Sequence, residues 1–223
     1  MILQENIIEK GHYDLIVAGG GVAGVAAAVQ AARAGKRVLL IEKAQKLGGL
    51  ATLGLINYFV PMCNGRGKQI IFGMAEEMLR MSITYGYGGI DPAFENGRIS
   101  DEKLAGYAAK GEKPPRYQTK YPAEIFALQL TEMCVSNGVD LMFDSVLSVP
   151  VTEEVGGRTV IKGVVIENKS GRESYTADMF VDATGDCDLV YRAGIPTAER
   201  GNFHTYIGFR ISLDSCTKAV ETG

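Results

Sequence analysis

Three groups of residues in this 223-residue chain have types and spacings that could do chemistry. Gly19, Gly21 and Gly24 fit G-x-G-x-x-G, Gly20 makes the first part a glycine run, and Ala28 follows one helical turn after Gly24. An acid, Glu42, ends the aliphatic run VLLI eighteen positions after Gly24. In such a pattern the first glycine permits a tight turn, the second lets backbone approach a pyrophosphate, and the third lets a helix pack close to a strand. The phosphates meet the free N–H groups of the helix start, here Val22 and Ala23, at the positive end of the helix dipole. Glu42, with Lys43 beside it, is placed to accept hydrogen bonds from a ribose hydroxyl. The second group is Gly48, Gly49 and Thr52, and the third is the run Ala183, Thr184, Gly185, Asp186.

The elements that must position these groups are legible around them. Residues 13–18 (YDLIVA) predict a buried strand, 22–34 an alanine-rich helix closed by Gly35, and 36–42 (KRVLLIE) a second strand. Together they form a β-α-β unit that binds a dinucleotide, either NAD or FAD on these residues alone. Residues 15–32 carry no charge over eighteen positions, which reaches the lower limit of a membrane span. The glycines divide that stretch into a strand-length and a helix-length run, so the membrane reading is set aside.

Downstream, 67–82 predicts a helix with Ile70, Met74, Met78 and Met81 on a core-facing stripe. Residues 85–121, with Pro92, Pro114 and Pro115, predict a long loop holding one short helix near 101–108. Pro122 opens a helix to about Asn137, ended by Gly138, and 139–143 predicts a buried strand. Residues 145–176 predict an antiparallel meander with turns at Gly156-Gly157 and Ser170-Gly171, and 179–182 a return to the central sheet. The expected fold class is α/β, with a Rossmann-like central parallel sheet and a small antiparallel β-meander.

On the G-x-G-x-x-G, Glu42, the Gly48-Gly49 doublet and the Ala-Thr-Gly-Asp run, the sequence resembles the FAD-dependent oxidoreductases of the glutathione-reductase-like superfamily. The branch is the one that includes fumarate-reductase-like flavoproteins. The resemblance implies FAD as cofactor and hydride transfer between FAD and a small organic substrate. It implies an FAD-binding domain over residues 1–200, with an excursion at about 57–120, and the start of a substrate domain at 201–223. It places Gly48, Gly49 and Thr52 along the diphosphate and ribityl chain, and Ala183, Thr184, Gly185 and Asp186 near the phosphates. His204 to Leu213 alternates like the first strand of that substrate domain. The second Gly-Asp motif that closes such domains does not occur, so the chain reads as an N-terminal piece of a longer protein, expected to hold FAD weakly. The alternatives are an NAD-binding Rossmann protein and a non-catalytic dinucleotide-binding fragment.

Composition narrows the partners. The formal charge of −3, with no block of Lys and Arg, argues against nucleic acid. Cys63, Cys134, Cys187 and Cys216 show no CxxC spacing, and only His12 and His204 accompany them, so neither a structural metal site nor a dithiol reductase is expected. Asp182, Asp186 and Asp188 invite a metal reading, which the match of Asp186 to a cofactor-adjacent position weakens. Scattered cysteines and the absence of a basic, apolar leader predict a cytoplasmic protein with free thiols and no membrane association. Cys63, Arg66 and His204 each carry a group capable of chemistry, and each reads more simply as a structural or solvated residue. No catalytic acid or base is identified.

Overall fold

A computed structural model describes residues 7–198 and 212–222. Strand β1 (Ile8–Ala18) leads through the glycine run into helix α1 (Val22–Arg33), and β2 (Val38–Ile41) follows. A single 3-10 turn, Gly49–Ala51, precedes an excursion holding β3 (Tyr58–Phe59), α2 (Met74–Ser82), α3 (Asp101–Ala109) and β4 (Thr119–Lys120). Helix α4 (Ala123–Ser136) and strand β5 (Asp140–Met142) return the chain to the main sheet. Three long strands come next, β6 (Val146–Val155), β7 (Arg158–Asn168) and β8 (Gly171–Asp182), then the short α5 (Asp188–Arg192). Helix α6 (Leu213–Thr222) is the last described element.

The main sheet runs β5-β2-β1-β8-β7-β6. The first four strands are parallel, and β8-β7-β6 are antiparallel. Strand period decides which side each residue serves. Val17 and Leu40 point into a core built with Val25 and Val29 of α1 and Phe126 and Leu130 of α4. Their neighbours Ile16, Ala18, Leu39 and Ile41 point the other way, into a core shared with Leu147, Val164, Ile166 and Leu189. Both faces are covered, which is why the parallel strands read as unbroken aliphatic runs. The excursion has its own small core of Met62, Cys63, Leu79 and Tyr117.

The chain departs from the sequence expectation at several elements. Strand β1 begins at Ile8 rather than Tyr13, because Ile8 to Ala18 pairs with β8 along its length; a bulge at Glu9/Gly11 lets the polar segment join. The meander and the return strand are one continuous element, since β8 pairs with β7 at Gly171–Thr176 and with β1 as far as Asp182. The helix expected over 67–82 starts only at Met74: Gly73 sits at φ +69, and Cys63 bridges Gln69 in an extended arrangement. Ile70 is therefore exposed rather than part of the stripe. The strand expected over His204 to Leu213 lies outside the described residues, except that Leu213 begins α6.

Candidate functional site

The carboxyl ends of β1, β2 and β8 lie side by side and open onto a cleft of about 580 Å³, within the roughly 300–1,000 Å³ of ligand pockets. Ends of parallel strands are where open α/β sheets bind ligands, because the loops leaving them diverge. Gly19, Gly21, Val22, Ala23, Glu42, Lys43, Gly48, Gly49, Ala183, Thr184 and Gly185 all line it.

The glycine run is shaped by what each position touches. Gly19 has φ +98, and a Cβ there would lie 2.5 Å from the Ala183 carbonyl oxygen, so β1 and the Ala-Thr-Gly end of β8 meet backbone to backbone. Its N–H donates to the Ile41 carbonyl at 2.8 Å. Gly21 is different. Its backbone is extended (φ −63, ψ 172), and a Cβ there would meet no protein atom within 4 Å. The fold therefore makes no demand for glycine at 21; a side chain there would occupy the cleft in front of the α1 N-terminus. That cradle fits a pyrophosphate, whose charge the free N–H groups of α1 can receive.

Glu42 is buried, and its carboxylate accepts two backbone bonds, from Gly20 N–H at 2.6 Å and from Ala44 N–H at 2.8 Å. Gly48 donates to the Gly20 carbonyl at 2.8 Å, so the glycine doublet is fastened to the glycine run. At the end of β8, Asp182 accepts from the Thr184 hydroxyl at 2.7 Å and from Val190 N–H at 3.0 Å. The Thr184 hydroxyl in turn accepts from Asp188 N–H at 2.9 Å. Asp182 thus shapes the turn from strand to α5. Among the described residues no group of three His, Cys, Asp or Glu side chains could hold a metal ion.

Three residues of the expected set lie outside the lining, and the reason differs for each. Gly24 is buried under the loop; a Cβ there would fall 1.9 Å from the Gly19 carbonyl oxygen, so its task is the approach of helix to strand. Thr52 is buried with its hydroxyl donating to the Leu47 carbonyl at 2.6 Å, where it supports Gly48 from beneath. Asp186 is exposed on the turn before α5 and is not among the residues that line the cleft. Sequence reasoning also missed part of the wall: Ser145, Val146 and Leu147 at the start of β6, and Arg192 of α5. Arg192 donates to the carbonyls of Leu147 and Ser148, which joins α5 to β6. No local pattern marks the β6 segment; it reaches the cleft because β5 pairs with β2, so the chain leaving β5 emerges at the same sheet end as Glu42.

On the other side of the cleft, Leu50 and Leu53 give it an apolar edge and are largely exposed. Tyr121 holds this segment in place by sharing its hydroxyl proton between the carbonyls of Ala51 and Ile56, at 3.2 and 3.1 Å. Burial pushes the Tyr121 phenol up to about 12, so it stays a neutral donor.

Comparison with known proteins decides the family. Residues 14–205 match the family described as FAD dependent oxidoreductase. The chain belongs to that family. FAD is accordingly its cofactor, and the family assignment covers every element that lines the cleft. A thioredoxin reductase of Ureaplasma parvum serovar 3 is 32% identical over 79 residues, 35% of this chain and 26% of that protein. A soluble pyridine nucleotide transhydrogenase of a Marinomonas species is 54% identical over 46 residues, 20% of this chain and 10% of that protein. Among solved structures, THI4 of Thermovibrio ammonificans superposes with a TM-score of 0.55 at 21% identity, over 83% of this chain and 64% of that one. The p-nitrophenol 4-monooxygenase PnpA of Pseudomonas putida superposes with a TM-score of 0.51 at 15% identity, over 83% of this chain and 43% of that one. These likenesses establish the shared fold, and the chain spans less than two thirds of each of these proteins.

Proposed function

We propose that residues 1–200 form the FAD-binding domain of a flavin-dependent oxidoreductase that moves hydride between FAD and a small organic molecule. The observation that carries this reading is Gly21, a glycine that the protein's own packing does not require, standing open between the α1 N-terminus and the Gly48-Gly49 doublet. FAD, when bound, supplies the hydride-accepting ring, and the protein supplies orientation and electrostatics.

The residues divide that work along the cleft. N–H groups at Val22 and Ala23 face the pyrophosphate; Gly21 gives it room. Glu42 and Lys43 mark the ribose, and the wall of Val146, Leu147 and Arg192 lies beyond them on the base side. Gly48 and Gly49 carry the diphosphate toward the flavin side, where Leu50 and Leu53 exclude water. Thr184 and Gly185 close the phosphates from the β8 side, with Asp182 holding their turn. Residues 201–223 belong, on this reading, to the start of a substrate domain. A cytoplasmic setting completes it, supported by four free thiols. Among the described residues no helix is long and apolar enough to cross a membrane.

The visible absorption spectrum of the purified chain, taken before and after adding FAD and desalting, tests this. Micromolar binding takes about 8 kcal/mol, whereas a helix N-terminus contributes about 0.3–1 kcal/mol and a hydrogen bond to a charged group about 1.5–3 kcal/mol. The expected result is a flavin band that appears on addition and fades on desalting, with ADP competing for the same site. A chain that binds ADP yet never takes up FAD would favour an NAD site and overturn the flavin assignment.

A further inference from the structure

The glycine run holds one residue that the G-x-G-x-x-G pattern leaves without a task. Gly20 has no left-handed backbone and makes no part of the cleft lining. Yet a Cβ there would meet Leu47 Cδ2 at 2.5 Å and Glu42 Oε2 at 3.0 Å. Its backbone is fastened on both sides: N–H to the Glu42 carboxylate at 2.6 Å, C=O to Gly48 N–H at 2.8 Å. Glu42 reaches further still. Its second oxygen takes Ala44 N–H, its own N–H donates to Met142, and its carbonyl accepts from Ser145 N–H at 3.2 Å.

We propose that Gly20 and Glu42 form a lock that sets the shape of the phosphate cradle before any nucleotide arrives, with Glu42 as a positioning residue in addition to its contact with ribose. The three sequence signatures, glycine loop, terminal acid and glycine doublet, are joined through this one residue. A carboxylate suits the position because each of its oxygens accepts, so both backbone N–H groups are satisfied at once. Burial strengthens both bonds and makes their loss costly. A preformed cradle spares the ligand the cost of ordering the loop, which raises affinity without a new contact. Gly20 is glycine because Leu47 and Glu42 close over it, and a methyl group would push them off. The proposal rests on the reading of the cleft as a dinucleotide site, and its test separates the two.

Glu42→Gln keeps the shape of the side chain but turns one acceptor into an NH2 group, which cannot accept from a backbone N–H. A ribose hydroxyl, being donor and acceptor, can still pair with either end of the amide. Calorimetry of the whole chain with ADP and with 2′,3′-dideoxy-ADP, which lacks the ribose hydroxyls, reads the difference. The lock predicts that Glu42→Gln weakens both ligands by the same factor, about tenfold. It predicts a similar loss for Gly20→Ala, and a double variant no weaker than either single one, since both disturb the same arrangement of the Glu42 carboxylate on the Gly20 and Ala44 N–H groups. Unchanged dideoxy-ADP binding in Glu42→Gln, or additive losses in the double variant, would overturn it. Amide exchange of the ligand-free native chain decides the matter even if a variant does not fold. Gly20 and Ala44 N–H should exchange at least about tenfold more slowly than in an unfolded chain, and unprotected amides there would refute the lock. Failure of the native chain to bind ADP would instead sink the nucleotide reading and leave the exchange result standing on its own.

Discussion

Two glycines three positions apart show how differently one residue type is used at the site. Gly21 faces open space with an extended backbone, so Gly21→Val should leave the urea midpoint unchanged while ADP binding disappears from a calorimetric titration. Gly24 is pressed against the Gly19 carbonyl, 1.9 Å from where a Cβ would stand. Gly24→Ala should therefore cost about 3 kcal/mol through overpacking, seen as a lower urea midpoint, and weaken ADP binding with it. If the two variants behaved alike, the assignment of one glycine to ligand and the other to packing would be wrong. Both were legible as motif positions in the sequence. Thr52 was legible as part of the glycine-doublet region, but its burial under Gly48 was not, because a threonine one turn from two glycines reads the same exposed or buried.

Elements carry the site at second hand, and Tyr121 is the clearest case. It sits between β4 and α4, at the centre of an aromatic cluster with Phe59 and Phe126, and ties the 3-10 turn that borders the cleft. Burial raises its phenol to about 12, and burial also raises the Cys134 thiol in α4 to about 12. In the unfolded chain these groups titrate near 10 and near 9. Above those values the unfolded state has lost protons that the folded state still holds, so stability falls as pH rises. Thermal melts should show constant stability from these two groups below about pH 9 and a progressive loss toward pH 12. Tyr121→Phe should shrink the part of that loss above pH 10, at the cost of about 1 kcal/mol at neutral pH for the missing hydrogen bonds. An unaltered alkaline slope in that variant would remove Tyr121 from the account. Helix α2 is a complementary case: the methionine spacing promised a longer helix, but Gly73 at a positive φ of +69 and the β-bridge between Cys63 and Gln69 hold its expected first turns extended.

At the scale of the molecule, the cleft draws on segments far apart in the chain, from Ala18 to Arg192, and a ligand in it fastens them together. A ligand that binds only the folded state stabilises it by about 2.7 kcal/mol at a hundred times its dissociation constant. For a chain of this size each kcal/mol moves the melting temperature by about 2–4 °C, so saturating ADP should raise it by roughly 5–10 °C in differential scanning calorimetry. Absence of any shift at saturating ADP would mean that the adenosine half does not bind here. The six-stranded sheet provides the physical route for this coupling, because β8 belongs both to the parallel core and to the antiparallel extension, and it ends in the turn that meets Gly19.

The linear order of residues determined the β-α-β unit, the α/β class and most of the glycines that line the cleft, because each depends on contacts within about thirty residues and on conformations that few residue types allow. Only the tertiary structure decided the rest: that meander and return strand are one element, that Ser145 to Leu147 and Arg192 complete the cleft wall, and that Gly20 serves Glu42. Those features come from pairings across twenty or more residues, where register and burial are set by the packed sheet and no local pattern records the partner.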